Sequence, residues 1–407
     1  MPGLCWFSTD GSTHLSDRAP RLLFVPVSGA YGMGEYARSL AIAQAAKGRW
    51  PDASILFVLS REAPYAASAP FPTALLDSSP TFHSAAVAGL IEKWRPDAVL
   101  FDNAGRTAQL HAARRCGARV VYISARRRQR YKAFRLRWMR VIDEHWIAYP
   151  RFIAGDLTFL ERLKLRYLRR PHVRFLDVVL ARRPARGAEG GAESILGRLG
   201  CVPGRYTLVV PGGGTNHPGT GDAMMEFVEA ARALASAGED TVFVGRAPPR
   251  AAGAAAAGTA APAAVGPATP TAAGTAAPAV AGTAAVAAEG RLHLTGPLPQ
   301  SDLAELMAGA RLVVTNGGST LLQAIACGRA CVAVPIAGDQ AQRIRRCALA
   351  GAAAPAALEA AAIGAAAFRL LRDDPARAAL AARATALGLT DGVEAALGAL
   401  ASLVDSK

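Results

Sequence analysis

No two of the six cysteines form a CxxC pair, and none is grouped with histidine as a metal-ligand set. Cys5, Cys116, Cys201, Cys327, Cys331 and Cys347 are scattered, which reads as small apolar core residues in a reducing compartment. The opening MPGLCWFSTDGSTHLSDRAP lacks a basic segment followed by an apolar run, so no signal peptide is expected. An unbroken apolar span long enough to cross a bilayer is also missing. The one long stretch of small apolar residues, over 250–289, is full of Gly, Pro and Thr. The expected location is cytoplasmic, soluble or peripheral at the inner face of the cell membrane.

With 51% hydrophobic residues over 407 positions the chain can bury two sizeable cores, at about 150 residues per domain. Strand-like runs alternate with helix-like ones, which implies parallel sheets with crossover helices. Residues 22–27, 55–59, 98–101, 119–123 and 145–148 read as strands of a first domain, and the pattern restarts at 206–210 and 241–244. The simplest account is an α/β protein of two tandem Rossmann-like, doubly wound domains. The expected divisions are a flexible extension over 1–19, a first domain over 20–185, a connector over 186–205, a second domain over 206–390 and a C-terminal helix over 391–407. Within the second domain, 250–289 lacks the large apolar residues that offset ordering entropy, so a disordered loop is expected there. An alanine-rich helix is the competing reading, interrupted every few residues by Gly or Pro.

The densest chemistry lies in RLVVTNGGSTLLQAIACGRACVAVPIAGDQ, residues 311–340. Leu312-Val313-Val314 reads as a strand, Asn316-Gly317-Gly318 as a turn, and Ser319 and Thr320 stand where an N-cap and first turn belong. A helix over about 321–327 is then ended by Gly328 and followed by a strand over 331–335. Such a helix N-terminus offers backbone N–H groups and a positive dipole end, which suits a diphosphate. Gln323, one turn in, is placed to reach a ribose. Asp339 and Gln340 follow the second strand, where a ligand at the carboxyl ends of parallel strands is met.

An ordinary strand-loop-helix connection is the plain alternative, because Gly-Gly turns are common. Spacing favours a site. The glycine pair, the helix-borne amide, the helix-ending glycine and the Asp-Gln pair together resemble the donor half of GT-B glycosyltransferases. Family 28, which includes the lipid-linked N-acetylglucosaminyltransferase of peptidoglycan synthesis, is the nearest likeness. The resemblance implies two Rossmann-like domains facing a cleft, with a UDP-linked sugar held in the second, and neither metal nor separate cofactor. Family members carry His or Ser before the glycine pair and Glu in place of Gln323; here Asn316 and Gln323 stand there. Without a DxD metal motif, helix N-termini and loop amides would take the charge of the departing diphosphate.

After the first strand comes SGAYGMGEYARSLAIAQAA, with Gly29, Gly32 and Gly34 in a tight turn and Glu35 opening a helix. Alone this loop is weak, since many Rossmann-like domains place glycine there. By resemblance it separates acceptor from donor. A carboxylate in a cleft is a sensible general base for an acceptor hydroxyl, which makes Glu35 a candidate; its other reading is a favourable first-turn charge on the helix dipole. Asp102, beside Asn103, is the second candidate base, or else caps a helix starting near Gly105. In the second domain, PGGGTNHPGTGD lets the backbone approach a phosphate at Gly213 and Gly214, with Thr215, Asn216 and His217 as donors. The resemblance puts this turn beside the diphosphate and puts backbone around Leu298 against the base.

The net charge of +15 concentrates in the first domain. Arg126, Arg127, Arg128, Arg130, Lys132, Arg135, Arg137 and Arg140 follow one another with no acid between, interleaved with Phe134, Leu136, Trp138 and Met139. That mixture suits an anionic membrane surface or a phosphate-bearing acceptor, and ERLKLRYLRRPHVRF, residues 161–175, extends it. Nucleic acid is the rival partner, but no zinc finger, RNP-type strand or helix-turn-helix pattern accompanies the charge, and none is expected to bind. A merely solvated, arginine-rich surface is the plain alternative. The expected activity is inverting, metal-independent transfer of a sugar to a hydroxyl of a lipid-linked or cell-envelope acceptor. A nucleotide-sugar hydrolase, a 2-epimerase or an inactive binding relative are the alternatives.

Overall fold

The computed structural model describes residues 19–30, 32–179, 194–212, 223–245 and 286–405, which build two seven-stranded sheets. The first holds β1 (Arg21–Pro26), β2 (Ser54–Ser60), β3 (Thr73–Leu76), β4 (Ala98–Asp102), β5 (Arg119–Ser124), β6 (Glu144–Ile147) and β7 (His172–Phe175). Their order is β3-β2-β1-β4-β5-β6-β7, all parallel. The second holds β8 (Thr207–Val210), β9 (Thr241–Val244), β10 (Val286–Glu289), β11 (Leu292–Thr295), β12 (Leu312–Asn316), β13 (Cys331–Val334) and β14 (Ala354–Pro355). Here the order is β10-β11-β9-β8-β12-β13-β14, parallel except where β10 meets β11.

In both sheets the chain builds one side of the first strand, then crosses back to build the other side. The reversal falls between β1 and β4 and between β8 and β12. At such a switch point the loops leaving adjacent strands diverge and open a crevice at their carboxyl ends. The four sequence-marked loops leave from these four strands.

The central strands are apolar on both faces because helices cover both. Leu22 and Phe24 of β1 join one cluster with Ile42, Phe57 and Trp146, while Leu23 and Val25 join another with Val99, Tyr122 and Trp138. The two domains also exchange segments. The final helix, Gly392–Val404, lays Ala396, Leu400 and Val404 on the first core beside Leu22. In return Ile153 and Val178 sit in the second core with Leu322 and Ile344. The short helix Ile195–Leu199, inside the expected connector, buries Ile195, Leu196 and Leu199 there too. Cys327, Cys331 and Cys347 are buried and none of them is in a disulfide, as their scatter suggests.

Five strands lie outside the expected set: β3, β7, β10, β11 and β14. Of these, β10 corrects the disordered-loop expectation at its end, since 286–289 turn through Gly290, at φ 62, to pair with β11. Residues 250–285 of that run and 1–18 of the N-terminal extension lie outside the described residues.

Candidate functional site

β12 ends on Asn316, whose Oδ1 accepts the Gly318 N–H at 2.8 Å and folds the chain into a tight turn. The helix Ser319–Ala326 begins immediately, with Gly318 as its N-cap and no side-chain cap. Among the described residues its first N–H groups therefore have no partner within the helix or from a capping side chain. Ser319 occupies the first helical position, not the N-cap expected for it, because the Asn316 turn already sets the entry. Close approach explains the glycines: a Cβ on Gly317 would lie 2.7 Å from Ile344 and 2.8 Å from Gln340. One on Gly212, at φ +111, would run into the Asn316 amide, so the chain leaving β8 touches the chain leaving β12.

The amides and acids of the motif are partly committed. Buried Gln340 accepts from Gly317 N at 3.2 Å and Ile336 N at 3.0 Å, pinning the ends of β12 and β13 together. Gln323 Nε2 donates to the Val179 carbonyl at 3.3 Å, which ties the helix to the chain leaving the first domain. Asp339 pairs with Arg343 at 3.2 Å. Thr320 is half-buried, and Leu298 packs half-buried against the second core. Gly213, Gly214, Thr215, Asn216 and His217 lie outside the described residues.

On the opposite wall β1 leads through Ser28, whose Oγ accepts the Ser60 N–H at 2.8 Å, to Gly29, Gly32 (φ +80) and Gly34. The helix Gly34–Arg49 carries Glu35 in its first turn. Glu35 therefore meets the helix dipole and is also oriented: its Oε1 accepts Asn103 Nδ2 at 2.8 Å. Asn103, at φ 52, is fixed in turn, since its Oδ1 accepts the Ala125 N–H at 2.9 Å. The carboxylate stays half-exposed.

Asp102 is different. It is fully buried, and its two oxygens take Arg38 Nη2 at 2.6 Å and Nε at 2.8 Å. Burial pushes this carboxyl up, to about 6, against the downward pull of Arg38. For Arg38 itself burial opposes the charge, yet Asp102, then Glu35 and Tyr149, hold its pKa above the usual range. A carboxylate with no exposure and both oxygens occupied has no path to a substrate, so Asp102 moves from candidate base to partner of Arg38. It caps no helix either: the next one, Thr107–Arg115, has Arg106 as its N-cap, whose N–H donates to Gln109 Oε1 at 2.8 Å.

The basic segment also needs correction. Arg126, Arg127, Arg128 and Arg135 are exposed and Lys132 is half-buried. Arg130 is buried instead, paired with Glu161 at 2.7 Å and donating to the carbonyls of Ala154, Gly155 and Asp156. Phe134, Trp138 and Met139 face the interior as well. The outward apolar surface lies on the helix Phe159–Leu168, none of whose residues is buried. Phe159 is 70% exposed, Leu160 64%, Leu163 51% and Tyr167 84%. The helix is held from below by the Arg130–Glu161 pair and by Lys164 Nζ on the Phe134 carbonyl at 3.1 Å. Among the described residues no helix is long and apolar enough to cross a membrane.

Motif reading missed Arg38, Tyr149 and Arg343. Only Arg343 carried a local signal, four residues after Asp339 on one helix face.

No protein-family model matches the chain, and no curated protein does. Solved structures do. Spinosyn forosaminyltransferase SpnP aligns with TM-score 0.59 and 14% identity, over 95% of this chain and 100% of its own. The chain has the GT-B fold. The calicheamicin glycosyltransferase CalG4 aligns with TM-score 0.58 and 17% identity, over 96% and 99%. A putative UDP-N-acetylglucosamine 2-epimerase from Listeria monocytogenes aligns with TM-score 0.54 and 15% identity, over 96% and 98%. At these identities the likeness carries the fold alone and does not single out family 28.

Proposed function

We propose that this GT-B chain transfers a sugar from a nucleoside diphosphate, uridine-linked by the family resemblance, to an acceptor hydroxyl. The observation that carries the reading is the uncapped N-terminus of Ser319–Ala326, locked by Asn316 and Gln340 at a switch point. The donor diphosphate meets the N–H groups of Ser319 and Thr320, and backbone near Leu298 meets the base. Glu35, oriented by Asn103, takes the proton of the acceptor hydroxyl while its oxygen attacks the anomeric carbon from the far side. The bond to the diphosphate breaks with inversion, and the electron pair leaves on the phosphate oxygen, where the helix dipole and loop amides stabilise it.

The acceptor is read as anionic and presented at a membrane surface. The outward apolar helix supports this, together with the charge around it: Arg127, Arg128, Arg135, Arg162, Arg166 and Arg169 are all exposed. Of the acids between Arg119 and Phe175, Asp143 and Glu144 are buried, Glu161 is taken by Arg130, and Asp156 pairs with Arg151. An apolar ridge among arginines that pair with no acid among the described residues fits an anionic bilayer. A second copy of the same face would be repelled.

Incubation with a panel of nucleotide sugars and a membrane-lipid extract, read by mass spectrometry, tests the whole reading. A glycosylated lipid supports it. Free sugar means a hydrolase, an isomerised donor means a 2-epimerase, and nucleotide binding without turnover means an inactive relative.

A further inference from the structure

Arg343 is a charge buried where the donor loop meets the first domain. It stands on the helix Gln340–Leu349, is 7% exposed, and faces three groups at once. Nη1 donates to the Gly317 carbonyl, and Nη2 reaches Asp339 Oδ2 and the Tyr149 hydroxyl, each at 3.2 Å. The guanidinium carbon lies 4.7 Å from the centre of the Tyr149 ring. Its carboxylate partner Asp339 is half-exposed, and its buried Nε has no partner among the described residues. Burying a cation with so little neutralisation is costly, so packing alone does not account for it.

Its position does. Gly317 is gripped on both sides: its N–H donates to the Gln340 amide oxygen and the Val334 carbonyl, while its carbonyl, in the next peptide unit, is drawn to Arg343. Gln340 and Arg343 stand on one helix, so that helix fixes the peptide immediately before the N-cap of Ser319–Ala326. The same helix also holds the first domain. Arg343 binds Tyr149, just after β6, and Arg346 donates to the Ile153 carbonyl.

We propose that Arg343 and Tyr149 form a latch coupling the donor loop to the acceptor-side domain. Arg343 keeps the Gly317 carbonyl turned back, which leaves the N–H groups of Ser319 and Thr320 directed at a nucleoside diphosphate. Tyr149 makes that arrangement depend on where the first domain sits. Both are positioning residues, and the inference rests on the donor site proposed above.

Tyr149→Phe removes the hydroxyl and keeps the ring; Arg343→Lys keeps the charge and loses the forked reach. Both are measured in the full chain, singly and together, by amide hydrogen exchange without nucleotide and by calorimetry with UDP. The latch predicts faster exchange at residues 316–321 in each single variant, with thermal unfolding little changed in Tyr149→Phe. UDP affinity falls about 5-fold in Tyr149→Phe and about 10- to 50-fold in Arg343→Lys, the range usual for coupled sites. The double variant binds no more weakly than Arg343→Lys, because the two act through one contact. Unchanged exchange at 316–321 in both single variants overturns the latch. A parent protein that binds no UDP overturns the donor site instead, and the exchange measurement still decides the latch.

Discussion

Asp102→Ala separates the two acids of the first crevice. The change removes both acceptors of a guanidinium that is itself buried, since Arg38 Nη2 and Nε sit 2.6 and 2.8 Å from the two carboxylate oxygens. Breaking one side of a buried ion pair leaves an uncompensated charge and costs about 3–5 kcal/mol. In a molecule whose net stability is on the order of 5–15 kcal/mol, that loss should be plain in a urea titration. Glu35→Gln has the opposite profile. The new amide keeps an oxygen for Asn103 at a half-exposed position, so stability should change by no more than about 0.5 kcal/mol. Turnover should instead fall about 10²- to 10⁴-fold, the usual contribution of a positioned base. The assay is urea unfolding of both variants, followed by initial rates at a temperature where each is folded. An Asp102→Ala protein as stable as the parent would refute the ion-pair reasoning. A folded Asp102→Ala that loses more turnover than Glu35→Gln would return the base to Asp102.

Buried His145, bonded to Ser124 Oγ at 2.9 Å, has its pKa pushed down to about 3, first by burial and then by Arg130. Unfolded, it titrates near 6.5, so below that pH the unfolded chain binds a proton that the folded one refuses. Its contribution is fully present above pH ~6.5 and is lost as pH falls towards about 3, by up to about 1.4 kcal/mol per unit. Replacing it in His145→Gln should flatten this part of the pH-stability curve, and identical slopes for parent and variant between pH 6.5 and 4.5 would contradict the assignment. On the outward helix, Leu163→Ser with Tyr167→Ser should weaken sedimentation with anionic vesicles about 100-fold, at about 1.5 kcal/mol per apolar side chain. Thermal stability should stay unchanged because neither residue is buried; equal sedimentation of variant and parent would remove the helix from the membrane reading.

How much was legible follows from what is local. The run Leu22-Leu23-Phe24-Val25 announces a strand covered on both faces, and Asn316-Gly317-Gly318 announces a turn because the demand is made by neighbouring backbone. β3, β7 and β14 were silent, being short edge strands with mixed sequences such as TALL and HVRF and partial exposure. Contacts across long sequence distance were silent too: Arg38 and Asp102 are 64 residues apart, and Arg343 and Tyr149 are 194 apart. In the basic segments, periodicity shows that apolar residues share a face but not which way the face turns. Phe134, Trp138 and Met139 point inward, while Phe159, Leu163 and Tyr167, which read only as a continuation of charge, point out.

The central claim is that a nucleoside diphosphate sits at the head of Ser319–Ala326, and UDP calorimetry on the parent and on Gly318→Asp tests it most directly. A Cβ at Gly318 already comes 2.7 Å from Asn316 Oδ1, and the added carboxylate places negative charge where the phosphates must lie. The account predicts saturable UDP binding in the parent and none in a folded Gly318→Asp protein. A folded variant that binds UDP as tightly as the parent would contradict it.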